Sequence, residues 1–168
     1  IYNEEVIGRI LRFFNVYGPN EYHKAGMASV IYHAFGQIKT QGTVKLFRSY
    51  KKGCKDGEQR RDFIYVKDVC SVVLFFIRNP GISGIFNVGT GSARTFNDLA
   101  GSVFSSLGKK NNITYIDMPS TIREKYQYFT QADISKLRSA GYDKGFFTLE
   151  EGIKDYVCDY LLKGPAYF

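Results

Sequence analysis

The chain has 168 residues, 44 % of them hydrophobic, and a formal net charge of +7. This length and hydrophobic content indicate one globular domain and exclude a disordered chain. The apolar runs fall far short of the roughly 20 residues that a membrane-spanning helix needs. The positive charge favours an anionic partner, but no RNA-binding aromatic motif, zinc-finger spacing or cysteine–histidine cluster accompanies it. We therefore expect no membrane, nucleic-acid or metal partner.

Strand and helix signals alternate along the chain. Apolar runs predict strands at residues 7–16, 44–47, 62–66, 85–88 and 113–116, the first of them buried. Helical periodicity predicts helices at 24–38 and 67–78, a third opened by Thr95, a short one capped by Asp133, and a last one opened by Thr148 and Glu151. With no internal repeat or linker, this pattern predicts a mixed α/β domain.

Residues 12–24 join the first strand to the first helix through a Gly18-Pro19 turn and a His23-Lys24 pair. α/β enzymes place ligands at such strand ends. A lysine in the first turn of a helix opposes the helix dipole by roughly 0.3–1 kcal/mol, and an anionic ligand there would remove this penalty. Lys24 is therefore either an exposed lysine at a frayed helix start or an acid–base group.

The two histidines, His23 and His33, are either hydrogen-bonded structural residues or proton-handling groups. Helical spacing places Gly26, Ser29 and His33 in one row beside the apolar stripe, where they could contact a polar ligand.

Three further side chains each have two interpretations. Asn15 ends a hydrophobic strand and either holds the turn or contacts a ligand. Arg61 either pairs with Asp62 or binds a diphosphate through its planar guanidinium. Tyr126 either stacks on a base or packs in the core. The Gly89-Thr90-Gly91 sequence is more typical of a strand-to-helix turn than of a phosphate loop.

Two nucleotide-binding motifs are absent from the printed sequence: G-x-G-x-x-G and G-x-x-x-x-G-K-[ST]. The first residue is not a methionine, and the first five are not typical of a signal peptide. The three widely spaced cysteines suggest reduced thiols of a cytoplasmic protein. We therefore expect part of a longer enzyme whose cofactor-binding half is missing.

Four segments carry a resemblance to a known family: Arg-Phe-Phe-Asn-Val-Tyr-Gly-Pro-Asn-Glu (12–21), Arg-Asp-Phe-Ile-Tyr-Val-Lys-Asp-Val (61–69), Phe-Asn-Val-Gly-Thr-Gly (86–91) and Leu-Glu-Glu-Gly-Ile (149–153). They resemble the extended short-chain dehydrogenase/reductase family of nucleotide-sugar epimerases and dehydratases. The segments at 22–30 and 126–133 are similar to the branch that epimerises ADP-activated heptose. The resemblance covers nearly the whole chain.

This resemblance implies an α/β fold made of the last strand of a Rossmann sheet and a smaller substrate-binding domain. Residues 1–22 would end the NADP-binding domain, and residues 23–168 would form most of the substrate-binding domain, with some segments returning to the Rossmann part. In this family the catalytic Tyr-x-x-x-Lys pair and the glycine-rich NADP loop precede the Asn-Val-Tyr-Gly-Pro segment, and the printed sequence contains neither.

The resemblance also implies roles for individual residues. Lys24 would be the second catalytic acid/base and lie close to NADP, with Val16 and His23 also at the cofactor. The residues lining the substrate site would be Asn15, Gly26, His33, Phe47, Arg48, Ser49, Tyr50, Arg61 and Tyr126. Position 26 is often serine in such enzymes, so any side-chain contact there is lost.

The implied reaction interconverts ADP-D-glycero-D-manno-heptose and ADP-L-glycero-D-manno-heptose by transient oxidation at C6, for the lipopolysaccharide inner core. Inversion needs two proton-handling groups on opposite faces of the carbonyl. The chain alone would be inactive, and the full-length protein would be a cytoplasmic homo-oligomer. The alternatives are another nucleotide-sugar 4-epimerase or 4,6-dehydratase, and a non-catalytic nucleotide-binding module.

Overall fold

The computed structural model of the chain describes residues 8–164. Their strands are β1 (Arg9–Phe13), β2 (Asn15–Tyr17), β3 (Val44–Phe47), β4 (Arg60–Arg61), β5 (Phe63–Tyr65), β6 (Gly84–Val88), β7 (Arg94–Thr95) and β8 (Ile113–Ile116). The α-helices are α1 (Val30–Gln41), α2 (Val66–Arg78), α3 (Phe96–Ser106), α4 (Ser120–Arg123), α5 (Ser135–Ser139) and α6 (Leu149–Tyr156). A 3₁₀ segment covers Tyr22–Met27, and a π-helical turn, Val157–Leu161, continues α6.

The described strands form four two-stranded pairs. β1 pairs with β6, β2 with β5, and β3 with β8, all in parallel, whereas β4 pairs with β7 in antiparallel orientation. Parallel strands need a crossover connection, and each of these three pairs has helical segments between its strands. The predicted mixed α/β class is therefore confirmed.

The first predicted strand, residues 7–16, is wrong as a single buried element. Residue 7 lies outside the described residues, and the rest divides at Phe14. Phe14 N–H donates to the carbonyl of Val88, and Asn15 N–H donates to the carbonyl of Asp62, so the chain leaves β6 and joins β5. The side chain of Ile10 is 60 % exposed and its register partner Ile85 is 50 % exposed, because this face of the β1–β6 pair is open.

The first predicted helix, residues 24–38, begins later than expected. Ser29 caps α1 by accepting from Tyr32 N–H, and the helix runs from Val30 to Gln41. Ala25 has a φ of 46°, which interrupts helical geometry within the preceding 3₁₀ segment. Met27, an apolar residue within that predicted helix, is 87 % exposed for this reason.

Several local predictions are confirmed. β3 and β8 have the predicted bounds, and Thr95 and Thr148 each open a helix with a complete capping box. Asp133 was expected to cap α5. Its carboxylate does accept from Ser135 N–H, but Ile134 occupies the capping position.

Strand β5 separates two buried clusters. Phe63 and Tyr65 face the larger cluster, in which α1, α3 and α6 pack against β3, and Ile64 faces the smaller one between α2, β6 and α5. Alternate side chains of a strand point to opposite faces, so a strand buried on both faces reads as continuously apolar. β5 therefore forms the centre of the fold.

Asp62 is fully buried and precedes β5. Its Oδ1 accepts from the N–H and the hydroxyl of Thr90, and its Oδ2 accepts from the N–H groups of Gly91 and Ala132. One carboxylate therefore joins the start of β5 to the turn after β6 and to the segment that follows Tyr126. Hydrogen bonds to a charged acceptor are among the stronger ones in proteins.

We predict that Asp62→Ala lowers the free energy of unfolding by about 3–5 kcal/mol, because it leaves buried N–H groups without an acceptor. Urea denaturation measures this change. Asp143→Ala, which truncates an exposed aspartate, is the control and should change the value by no more than about 0.5 kcal/mol. A loss below about 1 kcal/mol for Asp62→Ala would contradict the prediction.

Asp68, in the first turn of α2, is buried and accepts from Phe147 N–H. Burial raises the pKa of this carboxyl group from 3.8 to about 6, and the nearby Glu151 acts in the same direction. The folded state therefore binds the proton more tightly than the unfolded state. The resulting stabilisation is complete below about pH 4 and is lost as the pH rises through about 6.

We predict that Asp68→Asn stabilises the chain at pH 8 by about 1–2 kcal/mol, because the amide can accept from Phe147 N–H without a buried charge. Unfolding free energies measured from pH 4 to pH 8 should converge for the two proteins at the acidic end. A constant difference across this range would show that the carboxyl group does not titrate as described.

Candidate functional site

One hollow in the described part of the chain, the aromatic cavity, has a volume of about 490 Å³ and lies between α1, the ends of β3 and β8, and β4. Four of the predicted site residues line it: His33, Phe47, Arg61 and Tyr126. The other lining residues are Val30, Gln37, Lys45, Leu46, Gln59, Phe96 and Ile116. Its walls are mostly apolar, with a few polar groups, as is usual for small-molecule sites.

Arg61 and Tyr126 form a contact at the edge of this cavity. The guanidinium carbon lies 5.2 Å from the centre of the Tyr126 ring, within the range of a cation–π contact. Arg61 does not pair with Asp62, as one interpretation had it, because Asp62 is occupied by Thr90, Gly91 and Ala132. Arg61 donates instead to the carbonyl of Arg60.

Burial lowers the pKa of Arg61, and it raises the pKa of Tyr126. Among residues 8–164, no carboxylate forms an ion pair with Arg61. A partly buried cation without an acidic partner favours an anionic ligand, because the ligand would offset the cost of burial. A guanidinium can bind phosphate oxygens through two parallel hydrogen bonds.

Sequence reasoning missed Gln37, Lys45 and Gln59 in this cavity. Gln37 lies one helical turn after His33, so helical spacing could have indicated it. Its Oε1 accepts from Lys45 N–H at 2.8 Å. Gln59 is buried, and its Nε2 donates to the carbonyls of Phe47 and Arg48, which fixes the end of β3. No local pattern distinguishes Gln59 from the polar loop around it.

A second hollow, the lysine cavity, has a volume of about 220 Å³ at the ends of β2 and β5. Asn15, Val16 and Lys24 line it together with Glu21. Lys24 lies in the 3₁₀ segment and not in the first turn of α1, so the helix-dipole argument for this residue is wrong. The physical reason is the late start of the helix at its Ser29 cap.

Asn15 is exposed towards this cavity rather than buried. Its side-chain amide has no hydrogen-bond partner among the described residues, so it does not hold the turn. A free amide that lines a cavity can donate to or accept from a bound ligand.

The two cavities adjoin. Val30, the first residue of α1, lines both of them. Asn15 and Arg61 also line a third hollow of about 330 Å³ between β1 and the segment around Gln127. The residues that the sequence singled out at positions 15, 24, 33, 61 and 126 are thus brought to one side of the molecule.

Arg48, Ser49 and Tyr50 line neither cavity. The Arg48 guanidinium lies 3.6 Å from the carboxylate of Asp117, and the Tyr50 hydroxyl donates to the same carboxylate. The Arg123 guanidinium lies 3.7 Å from the centre of the Tyr50 ring. Ser49 N–H donates to Asp56. These groups hold the loop after β3 to the segment that leads to Tyr126.

His23 and Gly26 are exposed in the 3₁₀ segment and line neither cavity. The predicted row of Gly26, Ser29 and His33 is wrong, because α1 begins after Ser29. Within that row, only Ser29 and His33 are related by a helical hydrogen bond.

The Gly89-Thr90-Gly91 sequence forms a turn after β6, and the two-residue strand β7 lies between this turn and α3. The N–H groups of Thr90 and Gly91 donate to Asp62 and are not free to bind a phosphate. A β-carbon at Gly89 would lie 2.6 Å from that of Ala132, so only glycine fits there.

The profile of the NAD dependent epimerase/dehydratase family matches residues 2–89, more than half of the chain. The chain therefore belongs to this family. A curated relative from Fusobacterium nucleatum, named ADP-L-glycero-D-manno-heptose-6-epimerase, is 53 % identical over 163 residues. That match covers 94 % of this chain and 49 % of the relative. The chain spans about half the length of the curated relatives it matches.

Two solved structures are similar to the fold. The crystal structure of ADP-L-glycero-D-manno-heptose-6-epimerase from Helicobacter pylori is 33 % identical, with a TM-score of 0.75. The match covers 90 % of this chain and 43 % of that one. UDP-glucose 4-epimerase from Thermotoga maritima, solved with UDP-glucose, is 28 % identical, with a TM-score of 0.72 and coverages of 92 % and 46 %.

The family name implies a nicotinamide cofactor, and the residues of this chain fit one end of it. The lysine cavity offers space of the order of a nicotinamide ring, but the amides of the Gly89-Thr90-Gly91 turn are taken by Asp62. This turn therefore offers neither of those two N–H groups to the phosphates of a dinucleotide. Within residues 8–164 no cluster of three or more His, Cys, Asp or Glu could hold a metal ion, and no helix is both long and apolar enough to cross a membrane.

Proposed function

We propose that the full-length protein is an NADP-dependent epimerase that inverts C6 of ADP-glycero-D-manno-heptose, and that this chain forms most of its substrate-binding half. The names of the Fusobacterium and Helicobacter relatives support the substrate. The product would supply the heptose of the lipopolysaccharide inner core. The chain alone would not turn over substrate.

One geometric observation carries this proposal: the lysine cavity and the aromatic cavity adjoin at Val30. The first contains a lysine and an amide, and the second contains an arginine beside an aromatic ring; within residues 8–164 the amide has no hydrogen-bond partner and the arginine has no acidic partner. A sugar attached to a nucleoside diphosphate needs such a pair of neighbouring compartments, one for the reacting carbon and one for the anion and the base.

In the aromatic cavity, we assign the diphosphate to Arg61 and the flat face of the base to Tyr126 and Phe47. His33 would contact the ribose or a phosphate at the α1 wall. Because a bidentate hydrogen bond fixes orientation as well as affinity, Arg61 would determine which end of the sugar reaches the lysine cavity.

In the lysine cavity, we assign Lys24 to hold or move the proton on the C6 oxygen, and Asn15 to hold a neighbouring hydroxyl of the sugar. A bound nicotinamide supplies hydride transfer at that carbon. Val16 would pack against the cofactor, and Lys24 and His23 would contact its polar groups. The second proton-handling group would come from a part of the protein outside this chain.

The open face of the β1–β6 pair supports the proposed division into an NADP-binding part ending near residue 22 and a substrate-binding part at 23–168. Parallel sheets are usually covered on both faces, whereas Ile10 and Ile85 are exposed here. We propose that the remaining half of the protein covers them. A cytoplasmic, homo-oligomeric enzyme is the remaining part of the proposal, and it rests on the family resemblance.

A related epimerase acting on a UDP- or dTDP-hexose at C4 is the second candidate. The similarity to UDP-glucose 4-epimerase from Thermotoga maritima favours it, because the same cavities could hold another base and sugar.

For the full-length protein, we predict that Lys24→Met lowers kcat for ADP-heptose by about 10²–10⁴-fold, because an acid–base group is removed. NMR of the sugar protons measures the conversion. Lys52→Met, which changes an exposed lysine outside both cavities, should retain wild-type turnover.

The same assay with UDP- and dTDP-hexoses tests the substrate. Conversion of a hexose nucleotide with none of ADP-heptose would favour the second candidate. Wild-type turnover by Lys24→Met would remove Lys24 from the reaction.

We predict that Arg61→Lys weakens binding of ADP to the full-length protein by about 10-fold or more, because lysine lacks the planar bidentate group. Isothermal titration calorimetry measures the affinity. Arg60→Lys is the matched control, because Arg60 lies beside Arg61 on β4 but lines neither cavity. Equal losses in both variants would indicate a general effect of charge and would contradict the assignment.

A further inference from the structure

Glu21 is a buried carboxylate that takes no part in the proposed reaction or in ligand binding. It is 3 % exposed and follows the Gly18-Pro19 turn. Its Oε2 accepts from Ser29 N–H at 2.7 Å, and its Oε1 accepts from the Ser29 hydroxyl at 2.6 Å and the Tyr156 hydroxyl at 2.9 Å. Two oxygens thus face three donors, and none of the ion pairs among the described residues includes this carboxylate.

These bonds close a loop that contains Lys24. Glu21 lies just before the 3₁₀ segment and Ser29 just after it, so the carboxylate ties the two ends of residues 21–29 together. Within the loop, Ala25 interrupts the helical geometry with a φ of 46°, and no residue of the 3₁₀ segment is buried. Because none of its side chains is anchored in the core, the segment depends on its short-range backbone bonds and on its tied ends for its conformation.

The same carboxylate connects the loop to two helices. Ser29 accepts from Tyr32 N–H at the start of α1, so its own hydroxyl proton is free to point at Glu21. Tyr156 belongs to α6, and burial together with the charge of Glu21 raises the pKa of its hydroxyl. Tyr156 therefore stays protonated and donates.

A neutral amide would satisfy these donors less well. Glutamine has one accepting oxygen and one donating NH₂ group, so it cannot accept from all three donors as the two oxygens of Glu21 do. If its oxygen accepts from Ser29 N–H, its NH₂ group meets the hydroxyls of Ser29 and Tyr156, which can turn to accept but whose own protons then lose this acceptor. Glu21→Gln therefore weakens the connection between the loop and the two helices.

We propose that Glu21 is the positioning residue that holds Lys24 at the lysine cavity, by tying the 3₁₀ segment to the N-terminus of α1 and to α6. Glu21 lines that cavity beside Lys24, but its oxygens are directed at Ser29 and Tyr156. Its effect on turnover would therefore be exerted through Lys24, and that part of the inference rests on the proposed function.

The test compares Glu21→Gln with wild type in the full-length protein. We expect amide hydrogen exchange at residues 22–28 to rise by about 10-fold or more, with exchange in α3 and in the β1–β6 pair unchanged. We expect kcat for ADP-heptose to fall by about 10–100-fold while KM stays within about twofold. Tyr156→Phe removes one of the three donors and should show smaller changes of the same kind. Asp143→Asn, at an exposed position, should show none.

Unchanged exchange at residues 22–28 in Glu21→Gln would overturn the proposal. So would a rise throughout the chain in both Glu21→Gln and Tyr156→Phe, because this would indicate a general loss of stability. If Glu21→Gln does not fold, amide hydrogen exchange at residues 22–28 in Tyr156→Phe tests the proposal by itself. If wild type fails to convert ADP-heptose while exchange responds as expected, the proposed function fails and the positioning role stands.

Discussion

The fold depends most on the hydrogen bonds that one buried carboxylate, that of Asp62, accepts. Four donors from two separate segments converge on its carboxylate, and its backbone carbonyl accepts from Asn15 N–H. A buried carboxylate is tolerated only when it is paired or hydrogen-bonded. The requirement to satisfy this charge brings β2, the turn after β6 and the segment after Tyr126 to one place, next to Arg61. Asp62, which stabilises the fold, and Arg61, which lines the aromatic cavity, are therefore neighbours in the chain.

Glu21 has a similar arrangement at the other cavity. Each carboxylate is buried, each accepts from backbone N–H and hydroxyl donors, and each lies next to a cation that its own oxygens do not contact: Arg61 beside Asp62, and Lys24 near Glu21. Because the carboxylate oxygens accept from other donors, neither carboxylate forms an ion pair with these cations among the described residues. The positive charges stay available to an anionic or proton-exchanging ligand, while the acidic groups stabilise the backbone that carries them.

Local rules in the sequence were sufficient for much of the fold. The capping boxes at Thr95 and Thr148 predicted two helix starts, and the apolar runs predicted β3 and β8 with their observed bounds. Where two local signals competed, the prediction was wrong. The apolar periodicity from residue 24 suggested a helix, but the Ser29 cap and the positive φ of Ala25 delay it to Val30. For the site, Arg61, Tyr126, His33, Phe47, Asn15 and Lys24 were singled out, whereas Gln37, Lys45 and Gln59 were not.

The sequence by itself determined the α/β class, the family resemblance and the side chains suited to chemistry, because periodicity, caps and motif residues are properties of neighbouring positions. Only the tertiary structure decided that Asp62 binds amides rather than Arg61, that Arg48 and Tyr50 contact Asp117, and that two cavities meet at Val30. Those outcomes depend on contacts between residues far apart along the chain. The partner of a buried charge is set by which distant donors packing brings within reach, and local sequence does not encode that distance.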